Sequence, residues 1–191
     1  MENKIDNILM VGVGGQGTIL ASDILALAAL NSGYDAKKSE IHGMSQRGGS
    51  VFSHVRFGEK VYSPVITVGQ ADILLSLEEM ETLRWLAFTN AESRVIVLKR
   101  KILPPNVETY TEGIEEELQS IYKNLDLIEP ESLIKDIGNV KFLNVALLGL
   151  LSVYIDFPED AWKESIREKV PSGFFEDNWR AFNKGKFLSK N

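Results

Sequence analysis

The sequence has 191 residues, of which 44% are hydrophobic and 25% are charged, and its formal net charge is −6. This length predicts one domain with its own core, and the acidic balance argues against a protein that binds the nucleic-acid backbone. The chain has no cysteine and only two histidines, which excludes disulfides, thiolate-held iron–sulfur clusters and a cysteine nucleophile and argues against a zinc site.

Strands and helices are predicted to alternate along the first half of the chain. A β-branched run predicts a buried strand, a glycine turn follows it, and apolar residues then recur at helical spacing. Two further strands follow, the second with alternating side chains. These elements are the strand Ile8–Val13, the helix Thr18–Leu30 and the strands Lys37–Ile41 and Val51–Phe57.

The same alternation continues to the middle of the chain and predicts the fold class. The elements are the strand Ile73–Leu77, the helix Glu78–Ala87, the strand Arg94–Leu98, the helix Glu115–Leu125, the strand Leu127–Ile128 and a helix that begins near Pro130. Such an order predicts an α/β fold with three layers, α/β/α, around a mostly parallel sheet whose first βα turn is Rossmann-like. We assign residues 1–158 to this domain.

Residues 159–191 are predicted to form a C-terminal helical extension. Two amphipathic segments carry Trp162, Ile166 and Val170, and then Phe175, Trp179 and Phe182, at helical spacing. Two interpretations stay open. The helices pack on their own domain, or their aromatic side chains form a contact surface for a partner chain.

No segment of the sequence predicts a membrane protein. The longest apolar stretch, Phe142–Ile155, is too short to span a bilayer and is interpreted as a buried helix. Met1–Asp6 is polar, so no signal peptide is predicted. We therefore expect a cytoplasmic protein.

A glycine-rich loop follows the first strand. Gly12, Gly14, Gly15, Gln16 and Gly17 lie in the pattern G-x-G-x-x-G between a strand and a helix, where backbone N–H groups and the helix dipole favour an anion. Three interpretations are open: a dinucleotide site, another anion or a partner's cofactor, or close strand–helix packing without a ligand. A dinucleotide site also needs an acidic residue about 20 positions further on, for which the candidates are Asp35 and Glu40.

The segment Ser39–Ser50 has an unusual composition. It includes His42, Gln46, Arg47, Gly48 and Gly49. Glycines let a backbone fold around an anion, Arg47 offers a fork of donors, and His42 can donate or carry a proton. The alternative is a polar loop whose glycines serve turn geometry only. His54, beside Arg56 on an alternating strand, is interpreted as structural.

These segments together resemble the gamma domain of the pyruvate/2-oxoacid:ferredoxin oxidoreductase family. The resemblance covers roughly residues 7–150, and within the family it is greatest to indolepyruvate ferredoxin oxidoreductase beta subunits. Its strongest part ends at Leu86, and the sequence departs from the family's pattern at Glu79 and at Lys99–Lys101. The matching stretches are GVGGQGTILASDIL (Gly12–Leu25), SEIHGMSQRGGSVFSHVRFG (Ser39–Gly58), VYSPVI (Val61–Ile66) and ADILLSLEEMETLRWL (Ala71–Leu86).

The resemblance implies a division of labour between chains. Thiamine diphosphate and the iron–sulfur clusters would belong to a large alpha subunit, coenzyme A would be a substrate of the complex, and ferredoxin would accept the electrons. The reaction would be oxidative decarboxylation of an aryl pyruvate to an aryl-acetyl coenzyme A. In this chain, His42, Gln46 and Arg47 would face the active-site cleft or the coenzyme phosphates. The cofactor-binding residues would be the glycines at 12, 14, 15, 17, 48 and 49 and Gln16, with Gly14, Gly15, Gln16 and Gly17 as backbone donors.

Two other functions compete with this one. The first is a free-standing Rossmann-type protein that binds NAD, FAD or ATP. The second is a scaffold without a part in catalysis that holds a larger subunit together. Both are compatible with the glycine loop, so the sequence alone leaves them open.

Overall fold

The computed structural model describes residues 4–42, 49–103 and 107–188, and its centre is one six-stranded sheet. The strand order is β2-β3-β1-β4-β5-β6, and only β3 runs against the others. The mostly parallel α/β sheet expected from the alternating elements is thus confirmed. The strands are β1 (Ile5–Val13), β2 (Asp35–His42), β3 (Ser50–Gly58), β4 (Ile73–Ser76), β5 (Arg94–Leu98) and β6 (Leu125–Ile128).

Helices cover both faces of the sheet. They are α1 (Thr18–Asn31), α2 (Glu79–Arg84), α3 (Ile114–Ile121), α4 (Pro130–Ile137), α5 (Leu143–Leu151), α6 (Glu159–Lys169) and α7 (Phe175–Lys186). One core cluster contains buried residues of α1, α4, α5, α6 and α7, and the other contains those of α3. Side chains of α2 pack against this second cluster. The connection after β1 therefore runs on one face and the connection after β4 runs on the other, so the sheet has a switch point between these neighbouring strands.

Three predicted element boundaries were wrong. The helix predicted for Glu78–Ala87 ends at Arg84, and Leu86–Phe88 forms a short 3₁₀ turn. The helix predicted to reach Leu125 ends at Ile121, where the hydroxyl of Tyr122 bonds that of Thr89 2.5 Å away. Leu125 instead begins β6 opposite Val95.

The helix interpreted from Phe142–Ile155 is shorter than the apolar run. It spans Leu143–Leu151, and every residue in it is buried. Among the described residues, no helix combines the length and the apolar character that crossing a bilayer requires.

The two C-terminal helices lie against the rest of the chain. Trp162, Ile166 and Phe182 are at most 2% exposed and belong to the same core cluster as α1 and α5. The α5 and α7 backbones touch, because a Cβ at Gly185 would lie 1.7 Å from the carbonyl oxygen of Ala146. The aromatic residues thus contact this chain, while a domain boundary at residue 158 stays a prediction.

The contact between α5 and α7 generates a test with a matched control. Gly185→Ala should lower the free energy of unfolding by about 1–3 kcal/mol, since the added methyl group has no room, although alanine favours helices. Gly173→Ala, at a position with open space, should change it by less than about 0.5 kcal/mol. Urea denaturation of both variants measures the difference. Equal stabilities would contradict the packing described here.

Candidate functional site

The glycine loop between β1 and α1 is held by the side chain of Gln16. Its Oε1 accepts a hydrogen bond from the backbone N–H of Val13 at 2.7 Å, and its Nε2 donates to the carbonyl oxygen of Leu77 at 2.5 Å. The N–H of Leu77 donates in turn to the carbonyl of Val11 at 2.9 Å. The Gln16 amide therefore joins the ends of β1 and β4 at the switch point. Its side chain thus has a structural role, while its predicted part in binding a ligand stays a prediction.

Close packing explains why two positions of the loop are glycines. A Cβ at Gly12 would lie 2.8 Å from Thr18 Oγ1, and one at Gly17 would lie 2.4 Å from Asn144 Nδ2. The carbonyl oxygen of Gly17 accepts a hydrogen bond from that amide nitrogen at 3.1 Å, and its φ is +80°. Close strand–helix packing is thus part of the explanation for the motif.

Some backbone donors of the loop are engaged and others are not. Gly14 N donates to the carbonyl of Gly49 at 2.9 Å, and Gln16 N donates to that of Val13 at 3.1 Å. The N–H groups of Gly15 and Gly17 have no bond to any residue in the described ranges. They stand at the N-terminus of α1, a helix of 14 residues, where the dipole favours negative charge. Of the four predicted backbone donors, Gly15 and Gly17 therefore keep a free N–H for a ligand.

A cleft lies on each side of this loop. The β4-side cleft, with a volume of about 190 Å³, has two basic residues on its wall, and neither basic side chain has a partner among the described residues. The β3-side cleft, with a volume of about 340 Å³, lies between the loop and the start of β3. The β4-side cleft is lined by residues that include Gly15, Gly17, Leu77, Arg100, Lys141 and Asn144, and the β3-side cleft by Val13, Gly14, Gly15, Thr18 and Val51.

The structure brings the two motifs of the sequence to one edge of the sheet. The hydrogen bond from Gly14 N to Gly49 O joins the glycine loop to the end of the second motif. The backbone of His42 ends β2 opposite Val51 in β3. The side chain of His42 and the predicted residues Gln46, Arg47 and Gly48 lie outside the described residues, so their roles stay predictions.

The acidic residues considered for a dinucleotide ribose are engaged elsewhere. Asp35 begins β2 at the opposite edge of the sheet and accepts a hydrogen bond from the backbone N–H of Val61 at 2.9 Å. Glu40 pairs with Lys38 at 2.6 Å. These positions do not favour a nicotinamide or flavin dinucleotide at the glycine loop.

His54 is buried in β3 and has a structural environment. Its Nδ1 accepts a hydrogen bond from the backbone N–H of Ile66 at 3.2 Å, and its ring packs edge-on against Phe52 and Phe88. Burial, with Arg56 nearby, lowers the pKa of this imidazole, which keeps it neutral at physiological pH.

A group of buried glutamates, not predicted from the sequence, follows β4. Glu78, Glu79 and Glu81 are at most 6% exposed. Glu78 Oε2 caps α2 by accepting from Glu81 N at 2.8 Å, and its Oε1 accepts from the Tyr110 hydroxyl at 2.5 Å and from Ile102 N at 3.1 Å. The only sequence signal was the run of acidic residues directly after a buried strand, a pattern that usually marks an exposed helix start.

Glu79 is the least compensated of these carboxylates. Its Oε1 is buried without a hydrogen-bond partner in the described part of the chain, and its Oε2 lies 3.7 Å from Lys101 Nζ. Burial raises the pKa of Glu79 above its ordinary value, and the attraction of Lys101 offsets only part of this effect.

The sequence of this chain is similar to those of several known proteins. The family model for pyruvate ferredoxin/flavodoxin oxidoreductase matches residues 7–186. Indolepyruvate oxidoreductase subunit IorB of Thermococcus kodakarensis is 38% identical over 96% of each chain. The subunit of the same name from Archaeoglobus fulgidus is 37% identical over 94% of this chain and 92% of its own. The pyruvate/ketoisovalerate oxidoreductases common subunit gamma of Pyrococcus abyssi is 27% identical over 81% of this chain and 83% of its own.

Solved structures share the fold. The gamma subunit of a keto/oxoacid ferredoxin oxidoreductase from Geobacter sulfurreducens superposes with a TM-score of 0.73, at 23% identity and over 97% of this chain and 98% of that one. A chain of the 2-oxoglutarate:ferredoxin oxidoreductase from Magnetococcus marinus superposes with a TM-score of 0.76, at 20% identity. This match covers 99% of the present chain but 32% of the other, so the same fold also occurs as part of a longer polypeptide.

The environment of Glu79 predicts a pH-dependent stability difference. A carboxyl whose pKa is raised on folding costs stability as the pH rises from its unfolded value through its folded value. Glu79→Gln should therefore stabilise the protein by about 1 kcal/mol at pH 8, with the gain vanishing below about pH 4.5.

Thermal and urea unfolding from pH 4 to pH 8 measure this difference, with the exposed Glu116→Gln as the control. A gain that is the same at all pH values, or a loss at pH 8, would contradict the assignment.

Proposed function

Because the chain belongs to the pyruvate ferredoxin/flavodoxin oxidoreductase family, we propose that it is the small subunit of an enzyme that oxidises indolepyruvate or a related aryl pyruvate. The observation that supports this substrate class is the difference in sequence identity to two groups of relatives. Relatives named indolepyruvate oxidoreductase subunit are 34–38% identical, whereas those named for pyruvate, ketoisovalerate or 2-oxoglutarate are 25–27% identical. The alternative of a free-standing nucleotide-binding protein is not favoured.

The proposed reaction converts the 2-oxo acid and coenzyme A to an acyl-coenzyme A. The bond between the carboxylate and the carbonyl carbon breaks, and a thioester bond forms at the carbonyl carbon. Carbon dioxide, a proton and an electron pair are released, and ferredoxin takes the electrons. Thiamine diphosphate held by the large subunit would supply the electron sink that decarboxylation requires.

The large subunit supplies the metal clusters in this proposal. Thiolates are the usual ligands of iron–sulfur clusters, and this chain has no cysteine. Its part is then to bind and orient a substrate at the shared active site. We include a location in the cytoplasm in the proposal, on the basis of the proposed electron transfer to ferredoxin.

The β3-side cleft is the proposed place of contact with coenzyme A. The free N–H groups of Gly15 and Gly17 and the N-terminus of α1 provide donors for a phosphate group. The cleft adjoins Gly49, which ends the segment with His42, Gln46 and Arg47. We propose that Arg47 binds an anionic group of the coenzyme or substrate and that His42 and Gln46 face the same cleft, with Gly48 and Gly49 allowing close approach.

Reconstitution tests the division of labour. The purified chain should show no turnover with indolepyruvate, coenzyme A and a ferredoxin or dye acceptor, and adding the large subunit should restore it. Indolepyruvate should give a higher kcat/KM than pyruvate or 2-oxoglutarate in the same complex. Turnover by the isolated chain, or stabilisation of that chain by NAD, FAD or ATP in a thermal-shift scan, would contradict the proposal.

Arg47→Ala tests the proposed anion contact. Loss of the proposed guanidinium contact should lower kcat/KM of the complex by a factor that corresponds to about 2–4 kcal/mol of binding free energy, without preventing co-purification of the two subunits. Arg47→Lys keeps the charge but not the fork of donors and should recover only part of the loss. Arg180→Ala, in the exposed part of α7, is the control and should leave the kinetics unchanged. If Arg47→Ala had the kinetics of the wild type, the proposed anion contact of Arg47 would be wrong.

A further inference from the structure

Ser50 connects the predicted ligand-binding segment to a buried carboxylate on another element. It is the first residue of β3 and directly follows Gly49, where the segment His42–Gly49 ends. Its hydroxyl donates a hydrogen bond to Oε2 of Glu81 in α2. Glu81 is 6% exposed, so this bond lies in a largely dry environment.

The carboxylate of Glu81 is an acceptor for three donors. Besides Ser50, the indole Nε1 of Trp85 donates to Oε2 at 3.3 Å, and Nε of Arg84 donates to Oε1 at 3.1 Å. An ionised carboxylate only accepts hydrogen bonds, and a buried one is costly unless such donors surround it. The need to satisfy Glu81 therefore holds Ser50 in one position.

The position of Glu81 is itself fixed by the first turn of α2. The carboxylate of Glu78 accepts the N–H of Glu81 at 2.8 Å, and the Tyr110 hydroxyl accepts the N–H of Met80 at 2.8 Å. Trp85, one turn further on, packs against Phe52 of β3 with ring centroids 3.9 Å apart. The contact to Ser50 thus joins two well-anchored elements.

A second anchor holds the same end of the segment. The carbonyl oxygen of Gly49 accepts the N–H of Gly14 at 2.9 Å, and Ser50 lies opposite Val13 in the β1–β3 ladder. One anchor is on the glycine loop and the other is on α2. The position of the end of the segment relative to the β3-side cleft is set by both.

We infer that Glu81 is a positioning residue: through Ser50 it fixes the end of the segment His42–Gly49 beside the β3-side cleft. It does not contact the ligand. The inference rests on the proposed function, because that segment is assigned there to coenzyme and substrate binding. Glu81 and Ser50 then act through Gly49, whose carbonyl oxygen accepts the N–H of Gly14 in the glycine loop.

Two substitutions distinguish this positioning role from a contribution to protein stability alone. Each removes one hydrogen-bond donor of Glu81. Ser50→Ala removes the donor that directly follows the segment, and Arg84→Ala removes a donor of α2 whose side chain is 54% exposed. In the reconstituted complex, Ser50→Ala should raise the KM for coenzyme A about tenfold, because small displacements of binding groups are costly. Arg84→Ala should change it by less than about twofold, and Ser50→Thr, which restores a hydroxyl, should recover the wild-type value.

Hydrogen exchange of the full chain gives a readout that does not depend on the reaction. Backbone exchange in a peptide covering residues 42–52 should become faster in Ser50→Ala than in Arg84→Ala. Absence of indolepyruvate turnover by the wild-type complex would overturn the proposed function and leave this exchange test intact. Equal KM values and equal exchange in the two variants would overturn the role of Glu81.

Discussion

The side-chain amide of Gln16 is the contact on which the arrangement of the site depends. Strands β1 and β4 are neighbours, but the chain leaves them toward opposite faces of the sheet, so their ends would otherwise separate into an open crevice. Gln16 closes this gap by accepting from Val13 N and donating to Leu77 O. A shorter or charged side chain could not satisfy a backbone donor and a backbone acceptor at the same time. With the crevice closed at its base, the loop presents the N–H groups of Gly15 and Gly17 and the N-terminus of α1 at the carboxyl edge of the sheet.

Buried polar contacts then tie the surrounding elements to this loop. Asn144 of α5 donates to the carbonyl of Gly17, and Gly49 accepts from Gly14 on the other side. The carboxylate of Glu78 caps α2, and that of Glu81 joins α2 to Ser50 at the start of β3, next to Gly49. Each contact is buried or half-buried, where a lost partner leaves an uncompensated polar group, and such groups are expensive in a low-dielectric interior. The rigidity of the site thus comes from many short polar links rather than from one large side chain.

The C-terminal helices contribute to the same site indirectly. Helix α7 approaches α5 closely at Gly185, and α5 carries Asn144 beside the glycine loop. The aromatic residues of α6 and α7 face inward, with Trp162 and Phe182 in contact at 5.4 Å between ring centroids. Their packing therefore supports α5, and α5 in turn supports the loop.

The sequence by itself determined the fold class, the strand–glycine–helix unit and the two motifs, because hydrophobic periodicity and glycine spacing are local properties of the chain. It also indicated the family through HGMSQRGG and its flanking strands. Only the tertiary structure decided what Gln16 does, since its partners include Leu77, 61 positions away. The same holds for Glu79 and Glu81, whose sequence pattern predicts an exposed helix start but which are buried: Glu79 N donates to the carbonyl of Arg100, and Glu81 accepts from Ser50 of β3. The early end of α3 depends on a bond between Tyr122 and Thr89. Contacts between residues distant in sequence leave no periodic signal, so their consequences become visible only once the chain is folded.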